Sequence, residues 1–329
     1  MSIRKVALII GISGQDGAYL AELLLEKGYE VHGVSRDAEV RDFARLKMLG
    51  VLDKITNHSA LLMDFRSILE VLDTVRPTEI YNLSGQSSVA LSFSQPIQTI
   101  ESITVGQLQL LEAVRFLKLE TKIYNASSSD CYGSVIFGVK CDEETPFNSK
   151  SPYATAKAAA HWLTRNYRDA YGIFATNGIL FNHESPLRPK RFVTRKIVTA
   201  VAGIALKQSV RLELGNLDVY RDWGYAREYV DAMWRIMQSD VPEDFVIATG
   251  ESHSLQEFVA AAFTYIGENW ENYTDIKQSL YRPTDIQYSC GNPKKAEIKL
   301  GWKATTKFES LIALLIDSEI EIKRQRLES

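Results

Sequence analysis

Cysteine is scarce in this 329-residue chain: only Cys131, Cys141 and Cys290, with no Cys-x-x-Cys pair and no Cys/His cluster at zinc-ligand spacing. That excludes a small disulfide scaffold and makes a reducing cytosol, with no structural metal, the expectation. An excess of one charge is also lacking, since 38 Lys and Arg face 41 Asp and Glu for a formal charge of -3. Nothing here draws the chain to nucleic acid or to an anionic membrane. No apolar run approaches the roughly 20 residues needed to cross a bilayer. The one leader-like stretch, residues 6–12, is followed by a Gly-Gln-Asp-Gly turn instead of a small-residue cleavage site, and it reads as a buried first strand. Internal repeats and low-complexity segments are absent as well, which removes solenoids, collagen and coiled coils.

What is present is an ordinary globular composition, 45% hydrophobic and 24% charged, on a chain long enough for one large domain or two intimate ones. Strand-like and helix-like segments alternate in the first half: strands at 6–10, 30–34, 60–63, 79–82, 122–126 and 174–180, helices at 18–27, 105–117 and 153–170. That alternation predicts an α/β fold with a parallel sheet and a ligand crevice at the C-terminal strand ends. Two apolar stripes on the 105–117 helix predict burial on more than one side. On the 153–170 helix, Ala154, Ala156, Ala158, Ala159 and Ala160 permit close approach, either to another subunit or to the sheet. After residue 180 the alternation lapses, and the Pro, Arg and aromatic residues of 186–192, 221–225 and 281–285 point to substrate contacts. The strand-like run 245–248 is expected to return to the first domain.

Gly11, Gly14 and Gly17 form GxxGxxG between the first strand and the first helix, where glycines let a pyrophosphate approach a helix N-terminus. This setting predicts a Rossmann-type doubly wound sheet with a dinucleotide bound across it. At the end of the second strand stand Ser35 and Arg36 before any acid, so the arginine suits a 2′-phosphate and NADP is preferred over NAD. Asp37 next to it keeps NAD open. Tyr153 and Lys157 are four apart on one helical face, where the lysine charge favours a tyrosinate that acts as a base. Tyr273 and Lys277 repeat the spacing without the surrounding motifs. Upstream, Ser127-Ser128-Ser129-Asp130 ends the 122–126 strand and brings hydroxyls and a carboxylate to the mouth of the crevice.

Taken together, these residues resemble extended short-chain dehydrogenase/reductases and, among them, the GDP-mannose 4,6-dehydratase family. The likeness rests on Gly11-Ile12-Ser13-Gly14-Gln15-Asp16-Gly17, Ser151-Pro152-Tyr153, Leu180-Phe181-Asn182-His183-Glu184-Ser185-Pro186, Phe192-Val193-Thr194-Arg195-Lys196 and Arg221-Asp222-Trp223-Gly224, and spans nearly the whole chain. It implies an NADP-binding Rossmann domain at 1–180, to which about 216–255 returns, and a smaller, mixed α/β nucleotide-sugar domain at 181–329. It also implies a GDP-sugar substrate, a homodimer or homotetramer in which the 36–41 loop reaches a neighbour's cofactor, and a cytoplasmic lyase of deoxysugar biosynthesis.

By the same resemblance Ser13, Gly14, Gln15 and Asp16, with Gly11 and Gly17, hold the cofactor, joined by Arg36, Asp64, Phe65, Leu83, Tyr153 and Lys157. Ser128 orients the sugar O4, Tyr153 takes its proton, and Asp130, with Ser129, removes the C5 proton and assists departure of the 6-hydroxyl. Lys196, Arg221 and Arg282 serve the GDP phosphates, Asn182 the sugar or diphosphate, and Asp285 the guanine; Ser87, Val193 and Leu214 complete the substrate contacts. His161 and His183 receive no role. The family pattern Ser-Thr-Ser-Glu departs at two positions: Ser128 keeps its hydroxyl, whereas Asp130 draws the carboxylate back by one methylene. That shortening brings in the GDP-manno-heptose branch. It also keeps open a nucleotide-sugar 4-dehydrogenase, epimerase or reductase without elimination, and, from another class, a non-catalytic NADP sensor.

Overall fold

In a computed structural model that describes residues 5–328, with side chains to 325, β1 (Val6–Ile10), β2 (Glu30–Ser35), β3 (Thr56–Ser59), β4 (Glu79–Asn82), β5 (Lys122–Ser128) and β6 (Ala175–Leu180) pair in parallel. Beyond them come β7 (Asn182–Glu184), β8 (Leu212–Leu214), β9 (Tyr220–Arg221), β10 (Trp223–Tyr225) and β11 (Phe245–Ile247). β11 closes the large sheet beside β6, for the order β11-β6-β5-β4-β1-β2-β3. The order reverses between β1 and β4, so their C-terminal ends open a crevice there. β7 pairs with β10, β8 with β13 (Thr274–Ile276) and β9 with β12 (His253–Ser254).

Alternation along the strands explains the layering. Ala7, Ile9, Tyr81 and Tyr124 face one side, against α1 (Gln15–Glu26) and the helix Ala226–Met237. Leu8, Ile10, Ile80 and Ile123 face the other, against the helices Phe65–Val75 and Gly106–Phe116. A strand buried on both faces carries an unbroken apolar run, and β1 does. A further apolar core, built from Ile197, Val201, Phe258, Phe263, Leu311 and Leu315 on three helices, lies wholly after residue 192. No helix among the described residues is long and apolar enough to cross a membrane.

The structure corrects two boundaries that matter for the site. The third strand is Thr56–Ser59, four residues before the expected 60–63. It is an edge strand of polar residues, while Ala60 and Leu62 turn inward behind it as core. The apolar run therefore marked the turn into the core and not the strand. The first helix begins at Gln15 rather than Ala18, which brings the whole Gln15-Asp16-Gly17 stretch onto its first turn. The alanines of the helix Pro152–Tyr171 are used within the chain: Ala156 and Ala160 pack on Ile103, and the helix lies against β5 and β6.

Candidate active site

The turn after β1 is shaped by what it cannot accommodate. Gly11 has φ +90, and a Cβ on it would stand 2.9 Å from the carbonyl oxygen of Leu83. A Cβ on Gly17 would lie 2.5 Å from the Gly11 carbonyl oxygen and 2.6 Å from the Ile12 Cα. Both positions need glycine, because their nearest obstacles are backbone. Gly14 caps α1 without a side chain, so the amide groups of the first turn stay available to an anion.

Gln15 and Asp16 were expected at the cofactor, and their side chains are turned toward β7. Gln15 Nε2 donates to Asp16 Oδ1 at 2.9 Å and to the His183 carbonyl at 3.2 Å, and Ser185 Oγ donates to Gln15 Oε1 at 2.7 Å. His183 Nε2 lies 3.0 Å from Asp16 Oδ2. Burial would raise the Asp16 carboxyl, but the charge and hydrogen bond of His183, together with the Gln15 hydrogen bond and the Arg188 charge, bring it down to about 2. For His183, burial lowers and Asp16 raises, and Asp16 prevails. The result is a hydrogen bond to an ionised carboxylate that fastens the glycine turn to the strand carrying Asn182.

β5 runs two residues further than expected, so Ser127 and Ser128 belong to the strand, and Ser129 and Asp130 to the tight helical turn Ser129–Tyr132. The Asp130 N–H donates to Ser128 Oγ at 3.3 Å. Facing them is the helix Pro152–Tyr171, started by Pro152 and capped by Ser151, whose hydroxyl accepts from the Ala154 N–H at 3.1 Å. Lys157 is buried, donates to the Ala126 carbonyl at 2.8 Å, and is pulled down to about 8 by burial, which outweighs the opposing charge of Asp16. Tyr153, expected to be lowered, is raised instead. Burial first, then the Asp130 charge, push the phenol upward, and a hydrogen bond from Ser128 and the charge of Arg188 only partly oppose them. Asp130 is raised as well: burial and Asp285 disfavour its charge more than Arg221 and Arg282 favour it.

One cavity of about 690 Å³ collects these groups, and its wall includes Asp16, Leu83, Ser128, Ser129, Tyr153 and Lys157. The same wall includes Ser87, Asn182, Val193, Lys196 and Leu214 with Arg221, Arg282 and Asp285. Arg221 Nη2 donates to Asp285 Oδ1 at 2.9 Å and Arg282 Nη1 to the same oxygen at 3.3 Å. Lys196 Nζ donates to the Glu213 carbonyl. Of the expected cofactor residues, Gly11, Ser13, Gly14, Gln15 and Gly17 lie outside that wall, as do Arg36, Asp64 and Phe65. Arg36 is exposed at the end of β2, and Asp64 caps the helix Phe65–Val75 by accepting from the Arg66 N–H at 3.1 Å.

Two arginines that the sequence reading left without a role also line the cavity. Arg188 pairs with Glu184 at 3.2 Å, and Arg191 Nη2 donates to Ser87 Oγ at 3.1 Å. The signal was the basic, proline-bearing stretch 186–192, but only the path of the chain decides which of its cations face inward. His161 is buried, pushed down to about 4 by burial, and packs on Phe147, away from the cavity wall.

Comparison with known proteins agrees with this geometry. A family model described as GDP-mannose 4,6 dehydratase matches residues 8–315. The chain is 45% identical over 335 residues to GDP-mannose 4,6 dehydratase 1 of Arabidopsis thaliana, covering 98% of this chain and 92% of the relative. It is 44% identical over 346 residues to GDP-mannose 4,6 dehydratase of Homo sapiens, covering 98% and 93%. Among solved structures, a Thermus thermophilus UDP-glucose 4-epimerase in complex with NAD superposes with a TM-score of 0.84 at 25% identity, covering 95% of this chain and 98% of that one. A match of this length and identity places the chain in the GDP-mannose 4,6-dehydratase family.

Proposed function

We propose that this protein binds NADP and converts GDP-mannose to its 4-keto-6-deoxy derivative with loss of water. The residues present fit the cofactor: Gly11 and Gly17 leave the turn no side chains, α1 begins uncapped, and Tyr153 and Lys157 stand on the cavity wall. Arg36 supports NADP over NAD, and Asp37, the competing acid, uses Oδ1 to accept from the N–H groups of Glu39 and Val40, both at 3.1 Å. When bound, the nicotinamide accepts hydride from C4 of the sugar and supplies it again at C6.

Tyr153 takes the proton of the 4-hydroxyl as that carbon is oxidised, with Ser128 orienting the oxygen and Lys157 supplying positive charge nearby. The resulting ketone acidifies the C5 hydrogen. Asp130 takes that proton, the electron pair forms the C5–C6 double bond as the C6–O bond breaks, and the proton leaves with the hydroxyl as water. Hydride at C6 and a proton at C5 complete a sequence with no net oxidation.

The observation that carries this reading is Asp130, a partly buried carboxylate with raised proton affinity in the same cavity as Tyr153 and Ser128. Epimerisation or simple oxidation at C4 needs no such group. Protein supplied with NADP and no reductant, then incubated with GDP-mannose, is expected to yield a product lighter by one water in mass spectrometry. A product lighter only by two hydrogens sinks the dehydratase reading, and tight NADP binding without turnover favours a sensor. The shorter acid at 130 favours one second substrate, GDP-manno-heptose, and the same assay on that sugar decides it. For assembly we propose a homodimer or homotetramer, supported by Ile97 and Trp162, exposed on helices that pack together; a monomer mass by light scattering overturns it. A cytoplasmic location rests on three buried, unpaired cysteines and is checked by fractionation.

A further inference from the structure

The chain that packs beside the Tyr153 helix is interrupted by an irregular turn. Pro96–Ile100 and Gly106–Phe116 are α-helical, and the residues between them, Glu101–Val105, form a π-turn. Such a turn closes its hydrogen bonds over one residue more than an α-turn, so the helical faces before and after it fall out of phase. After it, Leu110, Leu111 and Val114 pack into the core of the large sheet. Within it, Ile103 is buried against Ala156 and Ala160 of the helix Pro152–Tyr171, and Tyr153 packs on that same cluster. The π-turn also supports a second wall of the cavity. A Cβ on Gly85 would lie 2.7 Å from Ile103 Cγ1, and the Gln86 N–H donates to Ser102 Oγ at 3.4 Å.

One hydroxyl of the turn reaches across to the helix that carries the tyrosine and the lysine. Thr104 Oγ1 donates to the Ala156 carbonyl at 3.0 Å, between residues 52 apart in sequence. In an α-helix that carbonyl serves the N–H four residues on, so the hydroxyl takes its second lone pair. Ala156 directly precedes Lys157, whose Nζ donates to the Ala126 carbonyl at 2.8 Å, and lies within one turn of Tyr153. We propose that Thr104 is a positioning residue for this pair: from the π-turn it pins the helix at Ala156, and so holds the phenol of Tyr153 toward Ser128 and the ammonium of Lys157 on the end of β5. Reacting groups must be held to about 0.5 Å, and the contact between the two elements is built on Ala156 and Ala160, whose methyl groups interlock little. A directed bond in that contact keeps the helix from rolling. This rests on Tyr153 and Lys157 handling the proton of the 4-hydroxyl.

The experiment compares Thr104→Val, which keeps the shape and removes the hydroxyl, with Thr104→Ser, which keeps the hydroxyl, in the whole NADP-loaded protein. With GDP-mannose, kcat per NADP-loaded site is expected to fall about tenfold in Thr104→Val, since small displacements of reacting atoms are costly. KM should stay within about twofold, because the nucleotide half of the substrate is held by Lys196, Arg221 and Arg282 on other elements. Thr104→Ser should return kcat to within about twofold of wild type. A variant that only folds less well loses loaded sites and keeps its turnover per site, and that result overturns the proposal. So does a loss in Thr104→Val that Thr104→Ser fails to restore. Should Thr104→Val fold poorly, Thr104→Ala takes its place with the same expectations. Wild-type protein that releases no water overturns the dehydratase reading instead, and the three proteins are then compared by transfer of deuterium from C4 of the sugar to NADP. If no hydride moves, hydrogen exchange at the amides of 153–160 decides: faster exchange in Thr104→Val, restored in Thr104→Ser, supports the pin, and equal exchange in all three overturns it.

Discussion

The two ends of the crevice are built by different means. At the cofactor turn, backbone does the shaping: Gly11 and Gly17 are required because carbonyl and Cα atoms fill the space a side chain would need. Where Arg221, Arg282 and Asp285 meet, side chains do it, holding one another across more than sixty residues of sequence. The first arrangement is local, so a short motif announces it. The second depends on segments that meet only after the chain has folded, and charge on one member is felt by all the others.

Substitutions can break or sharpen that contrast, and the largest effect belongs to the chemistry between the two ends. Tyr153→Phe is expected to cost about a thousandfold in kcat while cofactor binding persists, measured by turnover beside fluorescence titration of NADP. Near-wild-type turnover would remove Tyr153 as the base. Asp130→Asn is expected to lower water release about a hundredfold and leave exchange of the C4 hydrogen detectable by mass spectrometry with labelled substrate. Unchanged dehydration would take Asp130 out of the mechanism.

The cofactor end should respond through geometry. Gly17→Ala sets a methyl against fixed backbone, for a loss of about 2 kcal/mol in denaturant unfolding together with weaker dinucleotide binding. A variant as stable as wild type would show that the turn yields more readily than its contacts imply. Arg36→Ala is the mildest: NADP should weaken about tenfold and NAD hardly at all in paired titrations. Equal losses for the two would reassign the preference.

How much of the site could be read in advance follows the same division. Tyr153 and Lys157 were legible as a pair, since a helix repeats its face every four residues and Pro152 marks where the helix begins. Their electrostatics were not, because burial and the charge of Asp130 decide the phenol's proton affinity. The third strand was misplaced, since an edge strand such as Thr56–Ser59 has no apolar face to advertise. Arg188 and Arg191 were visible only as part of a basic stretch. Asp285 carried a family role whose physical setting, three donors on one oxygen, no spacing rule contains.

By itself the amino-acid order determined the parallel α/β layering, the glycine turn, the tyrosine–lysine face and the hydroxyl-and-acid run ahead of it, because each depends on neighbours within a few residues. Tertiary structure alone decided that Asp16 pairs with His183, that β11 completes the sheet beside β6, and that Asp285 lies on Arg221 and Arg282 near Asp130. Those outcomes are set by burial and by charges brought together from distant parts of the chain, and both exist only once the chain has folded.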